Sequence, residues 1–209
     1  MTLSPTSALI DSAIVAYLIG GLPFGYWFVR LSFGKDIRTM GSGNIGATNV
    51  HRSAGGKAGV IVLLLDILKG VLAVWLATLI AHQDVRAMAV SAVCVMLGHC
   101  YPVFLGFHGG KAVACFIGAF GYLAPLALAV SAVVFLVAVA WSRYISLGSI
   151  VGAILFPAAA WLTGSPAPVL VASIVAALLI VYRHQANITR LRTGTENVFS
   201  WKGGKPRAI

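Results

Sequence analysis

Three polar stretches interrupt an otherwise apolar chain, and each holds residue types suited to gripping an anion. The first is GSGNIGATNVHR, residues 41–52. Its glycines permit positive φ and let the backbone approach a ligand closely. The successive N–H groups of Ser42, Gly43, Asn44, Gly46 and Ala47 can line a concave anion site. Ser42, Asn44, Thr48 and Asn49 add side-chain donors, and Arg52 adds a full positive charge. No GxxxxGK[ST] pattern occurs, so this is not a nucleotide P-loop. On residue types alone it is either an anion cradle or a flexible polar connector.

The second stretch is GHCYPVFLGFHGGKAVA, residues 98–114. It passes Gly109 and Gly110 and puts Lys111 at the expected start of a helix, where N–H groups and a cation together suit an anion. Lys111 equally fits a lysine snorkelling to a membrane interface, and His99 and His108 fit hydrogen-bonded interface histidines. The third stretch, YRHQANITRLRTGTENVFSWK at 182–202, spaces His184, Asn187, Arg190 and Glu196 so that they can face one way on an interfacial helix. Its alternative is a basic tail attracted to anionic lipid. SRYISLGS, 142–149, adds Arg143, Ser146 and Ser149. Asp66 and Lys69 differ from all of these because they lie inside an apolar run, where ionisable groups are costly and are paired or functional. Their i, i+3 spacing lets them pair with each other, a structural role.

Several chemistries are excluded. There is no GxSxG elbow and no HExxH zinc helix. No histidine is followed five residues later by aspartate, so an acyltransferase dyad of that spacing is missing. Cys94, Cys100 and Cys115 form no CxxC pair and sit in or beside apolar runs, against a disulfide framework or a zinc site. Phosphate-binding donors and cations are present, without an evident nucleophile–base pair.

The elements that must position these residues are membrane helices. Of 209 residues 59% are hydrophobic and only 10% charged, and the mean hydropathy is +0.94. That composition defines an integral membrane chain with no room for a large soluble domain, so residues 1–209 read as a single membrane-embedded domain. Apolar segments run over 8–29, 59–81, 87–105, 111–141, 148–162 and 167–182. The first lacks a preceding Lys or Arg and carries Asp11, which fits a retained span rather than a cleaved signal peptide. Gly20, Gly21 and Pro23 predict a kink or early end within it.

Segment 111–141 decides the topology. As one straight helix it would extend roughly 45 Å against a hydrocarbon core of about 30 Å, and it holds Gly118, Gly121 and Pro125 where the chain can turn. The formal net charge is +10, with five basic residues between Arg30 and Lys57 and six between Arg183 and Arg207. Lys and Arg are retained on the cytoplasmic side, so both clusters belong there, and that requires 111–141 to turn back on itself. The expectation is an all-α membrane protein of about seven helices, the fourth short or re-entrant. Its N-terminus lies outside, and its C-terminus and all three polar stretches are cytoplasmic. The opposite face keeps one basic residue, Arg86. A transporter for phosphorylated solutes would also use anion loops, but it needs chemistry on both faces and shows an inverted repeat that is not evident here.

Together the stretches resemble the bacterial PlsY family, the acyl-phosphate:glycerol-3-phosphate acyltransferases. The family's signature loops look like SGNxGATNxxR, GHxxPVFLxFxGGKxxA and RHxxNIxRLxxGxE, and Ser42–Arg52, Gly98–Ala114 and Arg183–Glu196 match them in order. LIGGLPFGY, LLLDILKG and SRYISLGS also look like family segments, so the resemblance runs from about residue 17 to residue 202. His108, Ala112 and Cys115 depart from the common lysine, glycine and threonine. The resemblance implies acyl transfer to the 1-hydroxyl of sn-glycerol 3-phosphate in the bacterial cytoplasmic membrane, with membrane lipid as surroundings. It implies no metal, no diffusible cofactor, no nucleic-acid partner, and a soluble enzyme supplying the acyl phosphate. The catalytic residues would be Ser42, Arg52, His184 and Asn187. Acyl phosphate would bind along Ser42, Gly43, Asn44, Gly46, Ala47, Thr48 and Asn49, with Ser146 and Ser149. Glycerol 3-phosphate would bind at Arg52, Lys111, His184 and Asn187, with His99, Gly109 and Gly110 also lining the substrate site. Asp66, Lys69 and Glu196 would be structural.

Overall fold

The computed structural model describes residues 4–200. Lys202, Lys205 and Arg207 of the C-terminal basic cluster therefore lie outside the described residues. All regular structure among the described residues is helical, as expected, with no strand.

Helix α1, Pro5–Gly21, starts with Pro5 in the first turn and Ser4 as its cap, whose hydroxyl accepts from the Ser7 N–H at 3.2 Å. It stops at Leu22, which is extended (φ −61°, ψ 114°), ahead of Pro23; α2 then runs Phe24–Phe33 and ends on left-handed Gly34. The expected kink is thus a break, because Pro disfavours helical geometry in the residue before it. Helix α3 covers Ala47–Ala54 and α4 Gly56–Ile80. Helix α5 runs Val85–Cys100, five residues short of its predicted end, because Pro102 follows; Val103–Leu105 makes a separate tight turn. The long apolar segment is two helices, α6 Val113–Leu123 and α7 Pro125–Ser142, with Ala124 non-helical between them. Helices α8 Ile145–Leu162, α9 Ala167–Arg183 and α10 Gln185–Arg192 complete the α-helices of the described residues.

Among the described residues five helical stretches are long and apolar enough to cross a bilayer: Pro5–Phe33, Gly56–Ile80, Val85–Leu105, Pro125–Ser142 and Ile145–Leu162. The pair α9–α10 is long and apolar enough only when taken together, and it is bent by 57°. Helix α6, at 11 residues, reaches only about 16 Å and is the short one.

The helices cluster into two compact units divided between Leu123 and Ala124. In the first, α1 packs on α5 and α4 on α6. Both crossings use glycine: a Cβ on Gly20 would collide with the Val95 carbonyl, one on Gly98 with that of Tyr17, one on Gly70 with that of Cys115, and one on Gly118 with that of Ile67. In hydrocarbon no hydrophobic force separates helix from lipid, so contact of this kind supplies the association. Ala16, Ala73, Ala92, Ala119 and similar small residues fill the interior, while Leu64, Leu68, Trp75 and Leu79 face outward. In the second unit α8 packs between α7 and α9, and the buried Ser131 hydroxyl donates to the Gly152 carbonyl at 3.1 Å.

Candidate active site

The first polar stretch is not a loose connector. It is folded around one buried side chain, Asn49, which is 2% exposed. The Asn49 Oδ1 accepts from the Ser42 N–H at 2.9 Å, and its Nδ2 donates to the carbonyls of Asn44 (2.8 Å), Met40 (2.9 Å) and, at 3.4 Å, Ile37. Gly41 and Gly43 take the left-handed conformation (φ 56° and 70°) that such tight wrapping requires. The few apolar residues of the stretch anchor it: Ile45 and Val50 are buried with Val29, Ile37, Ala58 and Val62 of the surrounding elements. Gly25 of α2 lies so close that a Cβ there would collide with the Ile45 carbonyl.

This geometry redistributes the expected donors. The amide of Asn49 is occupied by the loop, so it shapes the site rather than offering a hydrogen bond to a ligand. The Asn44 Oδ1 accepts from the Gly46 N–H at 2.8 Å, which occupies that donor too. Helix α3 begins with Gly46 as an extended cap that supplies no side-chain hydrogen bond, so the N–H groups of Ala47 and Thr48 have no partner within the helix. They lie at the positive end of the helix dipole, and Ser42, earlier in the loop, is exposed. Arg52 sits on the same helix, half-buried. Flanking the loop, Arg38 forks onto Asp36 (Nε to Oδ1 3.0 Å, a terminal nitrogen to Oδ2 2.7 Å) and lies over the Tyr26 ring at 4.9 Å. That guanidinium holds the Asp36 carboxyl below the usual carboxylate range. The sequence did not point to this pair.

The second stretch folds back onto the end of α5. The Gly110 N–H donates to the His99 carbonyl at 2.9 Å and the Gly109 N–H to the Cys100 carbonyl at 3.2 Å. A Cβ on Gly109 would collide with the His99 carbonyl and one on Gly110 with the His99 ring. His99 is therefore buried beneath the glycines, at 4% exposure, while His108 is exposed and its Nδ1 contacts the Gly106 carbonyl. Lys111 does not begin the helix as expected. Ala112, at φ 59°, separates it from α6, whose first residue is Val113. The glycine common at position 112 is explained by that left-handed backbone, which alanine adopts at a cost.

Asp66 and Lys69 pair as their spacing predicts, at 2.9 Å and both 2% exposed. The Lys69 ammonium also donates to the Leu22 carbonyl at the α1–α2 break, at 2.9 Å. Asp66, His99 and Cys115 bring potential metal-ligand atoms within 4.8 Å of one another. The ammonium already provides the positive charge that the carboxylate faces, so this donor set does not suit a cation.

In the second unit Glu196 is the organiser. It does not lie on the helix with His184 and Asn187 as expected. The chain leaves α10 at Arg192, turns at left-handed Gly194, and folds back to bury Glu196. Its Oε1 accepts from Asn187 Nδ2 (2.8 Å) and the Ser146 hydroxyl (3.0 Å), and its Oε2 from Arg190 Nε (2.8 Å). Arg190 belongs to this cluster, so Asn187, Arg190 and Glu196, which the spacing of the third stretch grouped, do meet. The Ser149 hydroxyl donates to its own helix, at the Ile145 carbonyl. His184 stands at the α9–α10 bend, with Nδ1 2.7 Å from the Ile180 carbonyl. A carbonyl only accepts, so Nδ1 carries the proton and the lone pair of the neutral ring is on Nε2.

Apolar helices of bilayer length define an integral membrane protein, and its polar turns present backbone N–H groups and cations of the kind that suits an anion. The chain belongs to the glycerol-3-phosphate acyltransferase family, whose pattern it matches over residues 10–194. It is 42% identical over 186 residues to the glycerol-3-phosphate acyltransferase of Syntrophomonas wolfei, covering 88% of this chain and 93% of that one. It is 45% identical over 183 residues to that of Desulforamulus reducens, covering 88% and 91%. Its fold is similar to crystal structures of PlsY, an integral membrane glycerol 3-phosphate acyltransferase. With the glycerol 3-phosphate form the TM-score is 0.87 at 41% identity, over 92% of this chain and 96% of the other. With the lysophosphatidic acid form it is 0.84 at 39% identity, over the same shares.

Proposed function

We propose that this protein transfers a fatty acyl group from acyl phosphate to the 1-hydroxyl of sn-glycerol 3-phosphate, giving lysophosphatidic acid and inorganic phosphate. The observation that carries this reading is the first loop, wrapped on Asn49 with the Ala47 and Thr48 N–H groups at the helix start, in a chain built for a bilayer. Such a loop at a membrane surface suits a donor that joins a phosphate to a fatty tail. An acyl phosphate is already an activated anhydride, so positioning and charge neutralisation suffice without a covalent enzyme intermediate.

The stretch from Ser42 to Asn49 cradles the acyl phosphate, and Ser146 and Ser149 contribute to its binding. Arg52, Lys111, His184 and Asn187 hold glycerol 3-phosphate, with Gly109 and Gly110 shaping the approach to Lys111. The hydroxyl oxygen attacks the acyl carbonyl carbon, the carbon–oxygen bond to phosphate breaks, and the departing phosphate takes the hydroxyl proton. A second reading makes His184 the base, favoured by the Ile180 carbonyl that fixes its lone pair on Nε2. A loss of rate below about pH 6.5 that disappears in His184→Asn supports the histidine; an unchanged profile supports the phosphate.

The protein works in the bacterial cytoplasmic membrane with seven helical segments, the N-terminus outside, and the C-terminus and active site facing the cytoplasm. The two basic clusters and the shortness of α6 support that orientation. A soluble enzyme supplies the acyl phosphate from that side. Donor replacement tests the reading: equal turnover with acyl-CoA in place of acyl phosphate reassigns the donor.

A further inference from the structure

Beneath the turn that carries Lys111 lies a chain of buried polar groups for which acyl transfer has no direct use. The Lys69 ammonium joins the Leu22 carbonyl, at the α1–α2 break, to the Asp66 carboxylate, at 2.9 Å each. The same Asp66 Oδ1 lies 3.7 Å from His99 Nδ1, an electrostatic contact rather than a hydrogen bond. The opposite edge of the ring, Nε2, lies against Gly110, closely enough that no Cβ fits there, and the His99 carbonyl accepts the Gly110 N–H. Lys111 is the next residue. The Asp66 carboxylate faces one edge of the imidazole, and the other edge packs against the backbone from which Lys111 projects. A ring 4% exposed and covered by glycine backbone is placed to support a substrate-binding residue, not to bind substrate.

We propose that His99, oriented by the buried Asp66–Lys69 pair, is a positioning residue that sets Lys111 for the phosphate of glycerol 3-phosphate. This rests on the reading of Lys111 as a glycerol 3-phosphate ligand. It assigns His99 a place under the site rather than in it, and gives the intramembrane ion pair a task beyond structural pairing. The device needs no movement: an ion pair in a low-dielectric interior holds its partners rigidly once its charges are satisfied.

The test is a double-mutant cycle on the full chain in detergent, with His99→Ala, Lys111→Ala and the pair, reading KM for glycerol 3-phosphate and for acyl phosphate, with thermal unfolding followed in each. Residues that act through one another are non-additive, whereas independent contacts add. His99→Ala is expected to raise KM for glycerol 3-phosphate about tenfold, leave KM for acyl phosphate within about twofold, and cost nothing further once Lys111 is alanine. Should His99→Ala not fold, His99→Asn carries the same expectations, because it keeps a polar atom towards Asp66 while deleting the ring edge under Gly110. Additive losses in the double variant overturn the positioning role and make His99 a direct ligand. An unchanged KM in a folded His99 variant overturns it as well. An unchanged KM in Lys111→Ala alone overturns the reading of Lys111 itself, and this proposal with it.

Discussion

Replacing Asn49 with alanine removes the centre of the first loop. The amide makes three hydrogen bonds of 2.9 Å or shorter, one accepted from the Ser42 N–H and two donated to the Met40 and Asn44 carbonyls. At about 1 kcal/mol net apiece the loss is about 3 kcal/mol, confined to the loop. That lowers the ordered fraction of the loop relative to open forms by roughly two orders of magnitude. The cluster of Ile45 and Val50 with Val29 and Val62 stays in place, so global unfolding should shift less than the loop does. The expected outcome is a KM for acyl phosphate raised by at least about tenfold, with faster tryptic cleavage at Arg38 and Arg52. Asn49→Asp sharpens the test, since it keeps the acceptor for Ser42 but turns a carboxylate oxygen towards two carbonyls. It should be no better than alanine. An Asn49→Ala protein with parental KM and parental cleavage would refute the idea that this side chain builds the site.

Other outcomes follow from the same geometry. Ala112→Gly relieves a left-handed alanine costing about 1–2 kcal/mol and gives back about 0.4–1 in unfolded-state entropy, a net gain of about 0.5–1 kcal/mol visible as a rise of roughly 1–4 °C in unfolding temperature. Asp66→Asn or Lys69→Met alone strands a buried partner at a cost of about 3–5 kcal/mol, whereas the two together should recover most of the unfolding temperature. Asp36 has its folded pKa lowered by Arg38, so its contribution is present above the unfolded value and is lost only as pH falls through the folded one. Asp36→Asn should therefore leave the shape of the stability profile from pH 5 to pH 9 unchanged, a range above both pKa values.

Much of the helical framework was legible in the sequence because it depends on local composition. Apolar runs of bilayer length became helices, the glycines and Pro23 broke the first span, and Pro125 divided the segment that was too long to cross once. The site was legible as residue types but not as geometry. Which donor serves the loop and which serves a ligand depends on hydrogen bonds from side chains to backbone, and these have no sequence period. Asn49 read as a ligand donor, yet its amide is engaged by the loop itself, and the Gly46 N–H is likewise taken, by the Asn44 Oδ1. Glu196 read as part of a helix face although Gly194 is a residue type that ends helices; where the chain goes after it has no sequence period. The left-handed Ala112 displaced the start of α6 beyond Lys111, which composition alone does not reveal. The Asp66–Lys69 pairing was predictable from i, i+3 spacing, whereas the approach of His99 to it arises from the packing of a different helix.

The most direct measurement is phosphate release by the purified protein with each substrate alone and with both. Release only when acyl phosphate and glycerol 3-phosphate are present together, matched mole for mole by lysophosphatidic acid, is the predicted result. Lysophosphatidic acid formed from acyl-CoA at the same rate, or phosphate released from acyl phosphate without glycerol 3-phosphate, would contradict the account.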